Sequence, residues 1–504
     1  MFYEIFVRSF ADSDGDGIGD VGGLIDHLDY LNDGDPGTTD DLGITGIWLM
    51  PVAEAGSYHG YDVTDYTAVE RDYGTLADLR AFVGAAHDRG IAVILDLVLN
   101  HTSSDHPWFR ASRDPASPKA DWYLWSDTDP GYPGPFGRPA WHADGGRWYY
   151  GAFGAHMPDL NLRNPAVTDA LVDAATYWMT DLEVDGFRLD AIKHLIEDGR
   201  DQVNTPASRG WLTAFRDRLR AVNPEVLLVG EVLDITAASA PFVADGAVDL
   251  TFDFPLARGF LQAPNLEDIA PLAGARRDVL EQYPPGGYAT LLTNHDQVRA
   301  MSELGRSTER AELAASLLLT DPGVPFLYYG EEIGVQGRKP DERLRAPMPW
   351  TGDPPAGGFS TADPWQAMPD GWPEANVGVQ AGDPASLLAA YRNLIRVRSE
   401  HAALRTGATF TVDAAPSSLV AMLRSTATES MLVLSNLGTT PVTDYTLTLD
   451  DGPLCGGGSV TILYGPGSRG SAAPPTVTST GGFDAWKPVA EIPPQTTLIL
   501  GLAP

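Results

Sequence analysis

Gly186-Phe187-Arg188-Leu189-Asp190 is a mostly apolar run interrupted by Arg188 and closed by an acid. It is too short for a helix, and it reads as a buried strand with its charge at the C-terminal end. The same grammar recurs on both sides. Phe2–Phe10, Ile44–Met50 and Ala92–Asn100 precede it, and Val226–Val232, Asp249–Phe254, Tyr288–Asn294 and Pro325–Tyr329 follow. Amphipathic segments lie between them, among them Leu76–Arg89, Ala166–Leu182, Trp211–Val222 and Arg310–Thr320. Eight strands alternating with helices predict a closed parallel (β/α)8 barrel, the TIM barrel. An open doubly wound sheet would place a Gly-rich phosphate loop after its first strand, and no loop of that form stands there.

Two stretches depart from this rhythm. From His101 to Leu160 the sequence is loop-like and holds Trp108, Trp122, Trp125, Trp141 and Trp148. A structureless connection of that length is uncommon, so a small inserted domain is expected after the third strand. Beyond Leu404, Thr409–Val412, Ser418–Leu423, Met431–Leu437, Tyr445–Leu449 and Thr496–Leu502 read as strands separated by turns. They predict a C-terminal antiparallel β-sandwich. The expected division is a barrel over 1–100 and 161–404, an insert over 101–160 and a sandwich over 405–504.

Bulk properties narrow the partners. The net charge of −34 excludes a phosphate-binding surface of the usual basic kind, so no nucleic-acid partner is expected. No apolar run is long enough to span a membrane. Cys455 is the only cysteine, which rules out an intramolecular disulfide. Met1 leads directly into the first strand and no leader is read in the chain, so a secreted and a cytoplasmic location both stay open. A monomer is expected.

Barrels of this kind carry chemistry at the C-terminal ends of their strands. There the third strand runs Asp96-Leu97-Val98-Leu99-Asn100-His101, the fourth ends at Asp190, the fifth at Glu231, and the seventh at Thr293-Asn294-His295-Asp296. Arg188 and Asp190 are two apart and share a strand face. The guanidinium is expected to lower the Asp190 pKa and keep it ionised, as a nucleophile requires. Glu231 follows the apolar Val226-Leu227-Leu228-Val229, where desolvation would keep it protonated. One ionised and one protonated carboxyl is what retaining glycoside hydrolysis needs. Spacing alone leaves a purely structural Arg188–Asp190 ion pair equally open.

These four segments resemble, in order, the four signature regions of glycoside hydrolase family 13, the α-amylase family. The resemblance covers essentially the whole chain. It implies Asp190 as nucleophile, Glu231 as general acid/base and Asp296 as the third carboxylate. It implies sugar contacts from Arg188, His101 and His295, and an aromatic platform at Tyr61 within His59-Gly60-Tyr61-Asp62. Met157-Pro158-Asp159-Leu160-Asn161 is similar to the fifth signature of the subgroup intermediate between oligo-1,6-glucosidases and neopullulanases.

The loop Asp12-Ser13-Asp14-Gly15-Asp16-Gly17-Ile18-Gly19-Asp20 spaces carboxylates around glycines, an arrangement suited to a hard cation. A similar loop binds calcium in this part of the family. The resemblance implies Ca²⁺ with Asp12, Asp14, Asp16 and Asp20 as side-chain ligands and Ile18 as a carbonyl ligand. Asn100 and the carbonyl of His194 match a second calcium position, for which the sequence names no acidic partner. Specificity signals diverge. Lys193-His194 resembles α-1,4-acting amylases, where the pair meets sugars on the leaving side. Asp62 and Arg345, in Arg345-Ala346-Pro347-Met348-Pro349-Trp350, resemble the terminal-glucose grip of α-glucosidases, and Gly358-Phe359-Ser360-Thr361 through Trp365 strengthens that likeness. The expected activity is retaining hydrolysis of α-1,4 bonds in starch and maltooligosaccharides. An exo-acting α-glucosidase or a transglucosylase on short α-glucosides is the alternative.

Overall fold

The computed structural model describes residues 1–466 and 470–503. Its centre is a closed barrel of eight parallel strands: β1 Phe2–Ile5, β2 Gly46–Leu49, β3 Ala92–Leu97, β4 Gly186–Leu189, β5 Leu227–Gly230, β6 Leu250–Phe252, β7 Tyr288–Thr290 and β8 Val324–Tyr328. Each pairs with its sequence neighbours, and β8 closes on β1. The strands are shorter than the apolar runs predict. After β1 the chain turns into a 3-10 helix, Val7–Ser9. After β6, Asp253 caps a helix over Phe254–Leu266, its carboxylate accepting the Leu256 N–H. A strand end that must present side chains to a cleft cannot stay in the ladder, so the last residues of the apolar runs become rim.

Alternation along the strands layers the interior. Phe2, Trp48, Ile94, Val229, Phe252, Ala289 and Phe326 fill the lower barrel in one apolar cluster. Two residues further along, Glu4, Asp96 and Arg188 take the inward positions and are all buried. Asp96 and Arg188 are register partners across β3 and β4. The helices start on strong signals: Thr75 forms a capping box with Asp78, and Pro165 and Pro206 open two helices behind the caps Asn164 and Thr205.

The insert after β3 holds a short helix, Pro107–Ser112, and a three-stranded sheet in which Arg147–Tyr150 lies between Trp125–Ser126 and Trp141–Asp144. The C-terminal part is a six-stranded sheet facing a three-stranded one. Its strands Leu419–Ser425 and Ser430–Asn436 are buried on both faces. Leu419, Ala421, Leu423, Leu432 and Leu434 form the sandwich core, whereas Val420, Met422, Met431 and Val433 join the core of the barrel. Among the described residues no helix is long and apolar enough to cross a membrane.

Candidate active site

The C-terminal rim of the barrel opens into a cleft of about 340 Å³ lined by Tyr61, His101, Asp190, Glu231, Asp296 and Arg345. Segments following β3, β4, β5 and β7 deliver His101, Asp190, Glu231 and Asp296, the loop between the hairpin strands Ala53–Ala55 and Val63–Val69 delivers Tyr61, and the segment after β8 delivers Arg345. Arg188 is the hub beneath them. Its Nη1 donates to both oxygens of Asp96 at 2.9 Å and to Asp190 Oδ1 at 2.7 Å. Its Nη2 lies 2.9 Å from Glu231 Oε2. Directly after Asp190, Ala191 takes a left-handed φ of 48° and sends its N–H to Glu231 Oε2 at 3.1 Å. Such a conformation is strained for alanine, and here it ties the strand before Asp190 to the strand before Glu231.

The Asp190 pKa corrects an expectation. Burial raises it to about 8, and the charges of Glu231, Asp96 and Asp296 add to this; Arg188 pulls the other way but does not prevail. In the unliganded cleft the carboxyl therefore holds its proton more firmly than a free aspartate. Sequence spacing showed the Arg188 contact but not the depth of burial or the shared guanidinium.

His295 is organised from both sides. Its Nδ1 meets Glu4 Oε1 at 2.6 Å, and its Nε2 lies 2.7 Å from the Tyr61 hydroxyl and 3.3 Å from Asp296 Oδ2. Burial opposes a charged ring, but Asp296 and Glu4 outweigh it and lift the pKa to about 10. A doubly protonated His295 donates on both nitrogens, and Tyr61 then passes its own hydroxyl proton on towards Asp96 at 2.9 Å. Asp296, opposed by burial but held by His295 and Arg345, stays well below the usual carboxylate range. His101 is the contrast: burial and neighbouring histidines drop it to about 3. It is neutral, and its Nε2 has no protein partner, which leaves a hydrogen-bonding group for a bound hydroxyl.

Asp62 and Arg345, which resemble a grip on a terminal glucose, keep separate partners. Arg345 Nη2 donates to Asp296 Oδ1 at 2.7 Å, its Nε donates to the His295 carbonyl at 3.2 Å, and its Nη1 donates to the Tyr58 hydroxyl at 3.3 Å. Asp62 does not join it: that carboxylate is buried, accepts the Ser57 hydroxyl and lies 4.0 Å from His59. Lys193 and His194 do line the cleft. Lys193 Nζ is already engaged, donating to the Leu233 carbonyl at 2.6 Å and lying 3.5 Å from Asp234. Burial lowers the His194 pKa to about 4. Sequence reading missed Glu4, Asp96, Phe136 and Phe153. Glu4 and Asp96 carried a signal, a carboxylate inside an apolar strand. Phe136 and Phe153, from the insert, carried none.

In the Asp12–Asp20 loop the carboxylates of Asp12, Asp14 and Asp20 gather with ligand atoms within 4.8 Å of one another, a plausible metal-binding cluster. Three hard oxygen donors fit a cation such as calcium. Asp16 stands outside the group, its Oδ1 accepting the Ile18 N–H at 2.8 Å. Asp20 also caps the helix Val21–Asp26, accepting the Gly23 N–H at 2.7 Å. At the second position, Asn100 Nδ2 donates to buried Asp159 at 3.0 Å, so Asp159 is the acidic neighbour the sequence did not identify.

A barrel whose strand ends gather three carboxylates, two histidines and an arginine around one sugar-sized cleft defines a carbohydrate-active enzyme. Residues 4–407 match the family model "Alpha amylase, catalytic domain", and the chain belongs to the α-amylase family. It is 38% identical to Alpha-amylase 3 of Dictyoglomus thermophilum over 87% of this chain and 84% of that one. It is 34% identical to the trehalose synthase/amylase TreS of Mycobacterium tuberculosis over 88% and 82%. Among solved structures, an α-amylase from H. orenii superposes with a TM-score of 0.82, at 38% identity and 99% coverage of both chains. The trehalulose synthase MutB superposes equally well at 26% identity, again over 99% of each chain.

Proposed function

We propose that the chain is a retaining α-glucosidase or transglucosylase that works on short α-glucosides from their non-reducing end. The observation that carries this reading is the fixed wall of the cleft. Arg345 is only 4% exposed and is held by three contacts, to Asp296, His295 and Tyr58. Tyr58 in turn packs against Trp365, the two rings tilted by 32° with centroids 5.3 Å apart. A cleft of about 340 Å³ lies at the low end of the roughly 300–1,000 Å³ usual for ligand pockets, which suits a few sugar rings rather than a polymer. Relatives named trehalose synthase, α-glucosidase and oligo-1,6-glucosidase lie in the same direction.

In this reading Glu231 donates its proton to the glycosidic oxygen while Asp190 attacks the anomeric carbon. Water or an acceptor hydroxyl then displaces Asp190 and returns a proton to Glu231. Asp296, His295 and Arg345 hold the ring being distorted. Calcium, held by Asp12, Asp14 and Asp20, would be structural, since it sits in a loop rather than among the reacting groups. A second reading, internal cleavage of α-1,4-glucans, is favoured by Lys193 and His194 in the cleft and by the two α-amylases at 38% identity. Product analysis separates the two. On the first reading, maltotriose releases glucose first, as the α-anomer, and starch keeps its iodine staining. A rapid loss of staining with early maltose and maltotriose would establish the second reading instead.

A further inference from the structure

Glu4 lies beneath the catalytic cleft, on the inward face of β1, in register with Trp48 of β2 and Tyr328 of β8. It is only 2% exposed, and an acid so placed needs a charged, hydrogen-bonded partner. That partner is His295. Glu4 Oε1 lies 2.6 Å from the ring Nδ1 and accepts the His295 backbone N–H at 3.4 Å. One carboxylate thus fixes both the backbone and the ring of the same histidine.

The other ring nitrogen decides the proton count. His295 Nε2 lies 2.7 Å from the Tyr61 hydroxyl and 3.3 Å from Asp296 Oδ2, and the Tyr61 hydroxyl lies 2.9 Å from Asp96 Oδ2. A hydroxyl has one proton to give. Were the ring neutral with its proton on Nδ1, Nε2 would take the Tyr61 proton from Asp96 and turn a lone pair on Asp296. Were the proton on Nε2, a lone pair would face Glu4. Only the imidazolium puts a proton in all of these contacts. The surrounding charges agree. Burial opposes a charged ring, but Asp296 and then Glu4 outweigh it and lift its pKa to about 10. The ring also attracts Asp96 on β3. Two cations share the network: Arg188 on β4, which acts on Glu4, and Arg345, whose Nε donates to the His295 carbonyl. On the β8 side burial, and to a lesser degree the Glu4 charge, raises the pKa values of Tyr328 and Glu331.

We propose that Glu4 is a positioning residue for catalysis: it holds His295 as an imidazolium whose Nε2–H stays aimed at Asp296 and Tyr61 in alkaline solution. This rests on the reading above, in which Asp296 and His295 hold the distorted sugar. Loss of the ring proton would turn Nε2 from donor to acceptor and draw the Tyr61 proton off Asp96. It would also remove one of the two cations held against Asp296, the other being Arg345.

The test is the ratio of Glu4→Gln to wild-type kcat/KM on maltose, read near pH 6 and near pH 9. Glutamine keeps the shape and an oxygen for Nδ1–H and loses only the charge. An opposite charge in direct contact moves a titration by about one to three pH units, so the variant's ring should lose its proton inside this range. The ratio should be within about threefold of one near pH 6 and at least about fivefold lower near pH 9. Glu4→Asp, which keeps the charge on a shorter arm, should restore part of the alkaline activity. The ring ¹⁵N shifts of wild-type His295, assigned by their absence from His295→Gln, should read imidazolium near pH 8. A loss of activity equal at both pH values is what packing alone gives, and it would overturn the proposal. A neutral wild-type ring near pH 8 would overturn it whether or not the variants fold. If the wild type cleaves neither maltose nor maltotriose, the underlying reading falls first, and the ring shifts still decide whether Glu4 holds a cation.

Discussion

Arg188 serves three carboxylates at once, and that sharing sets the pH behaviour of the site. Asp96 and Asp190 accept from it and Glu231 lies against it, yet burial still leaves Asp190 with a pKa near 8. The folded protein therefore binds a proton that the unfolded chain releases near pH 4, and folding stability falls as pH rises between those two values. Replacing Asp190 by Asn removes the group. The Asp190→Asn variant should lose nearly all hydrolysis, yet its melting temperature should exceed the wild type's by a margin that grows from about pH 4 to pH 8 and then levels off. Thermal melts across that range check this; a margin independent of pH would place the Asp190 carboxyl in a more solvated setting. Wild-type kcat/KM should rise with pH on the acid limb, because attack needs the ionised form. Asp190 and Glu231 were legible in the sequence because each directly follows an apolar strand, whereas Asp296 lies beyond the end of β7 at Thr290 and was reached through the family resemblance. The direction of the Asp190 shift was not legible, since it depends on how many carboxylates share one guanidinium, and periodicity does not carry that.

At the scale of the element, the Asp12–Asp20 loop is clamped to the segment after β8. Asp12 N–H donates to the Phe359 carbonyl at 2.9 Å, Ser360 donates to Asp12 Oδ2 at 2.5 Å, and the Trp365 N–H donates to the Gly17 carbonyl at 2.8 Å. The approach is close enough to need glycine: a Cβ on Gly17, at φ 92°, would lie 2.3 Å from the Asp363 carbonyl. The sequence linked Phe359–Trp365 to substrate specificity by resemblance; the contacts show that it also buttresses the acidic loop, a pairing across about 350 residues that no local pattern could display. Exposed Asp14 has its pKa raised, first by partial desolvation and then by Asp16, Asp20 and Asp12, so its charge is unfavourable without a cation. Ligand binding to the native state stabilises by about 2.7 kcal/mol at a hundredfold excess over Kd. Chelation should therefore lower the wild-type melting temperature by several degrees. Asp14→Ala should remove that response, and without metal it should melt no lower than the chelated wild type. Calorimetry with and without a chelator decides it; a chelator-insensitive wild type would argue against a bound cation.

The whole molecule depends on how the sandwich seats on the barrel: Val420, Met422, Met431 and Val433 join the barrel core, and one buried arginine from the sandwich and one from the barrel helix Leu387–Glu400 meet the same helix end. Arg424, in the sandwich strand Leu419–Ser425, donates to the Thr320 carbonyl at 2.8 Å and the Gly407 carbonyl at 3.1 Å. Arg398 donates to the carbonyls of Leu319, Asp321 and Gly323. Together they satisfy the open C-terminal end of the helix Thr308–Thr320, whose last carbonyls have no partner within the helix. Burial lowers both arginine pKa values, Arg424 adding to the effect on Arg398 and Arg276 to that on Arg424, while the Asp321 carboxylate opposes it at both. The apolar run Ser418–Leu423, bounded by turn residues, predicted a strand. It did not predict that both faces would be covered, one by the sandwich core and one by the barrel, since a strand buried on both faces and a short helical segment look alike in composition. Replacing Arg424 by Ala strands two buried carbonyls and opens a cavity between the layers. The expected cost is roughly 3–6 kcal/mol, at about 1.5–3 kcal/mol for each of the two charge-assisted hydrogen bonds lost. Since Arg424 contacts neither the cleft nor the residues that position it, kcat/KM on maltose below the melting transition should stay within about twofold of the wild type. Differential scanning calorimetry paired with steady-state kinetics checks both halves. A variant that keeps its melting temperature would show that the sandwich adds nothing to barrel stability, and one that keeps its temperature but loses activity would show that the interface acts on the cleft.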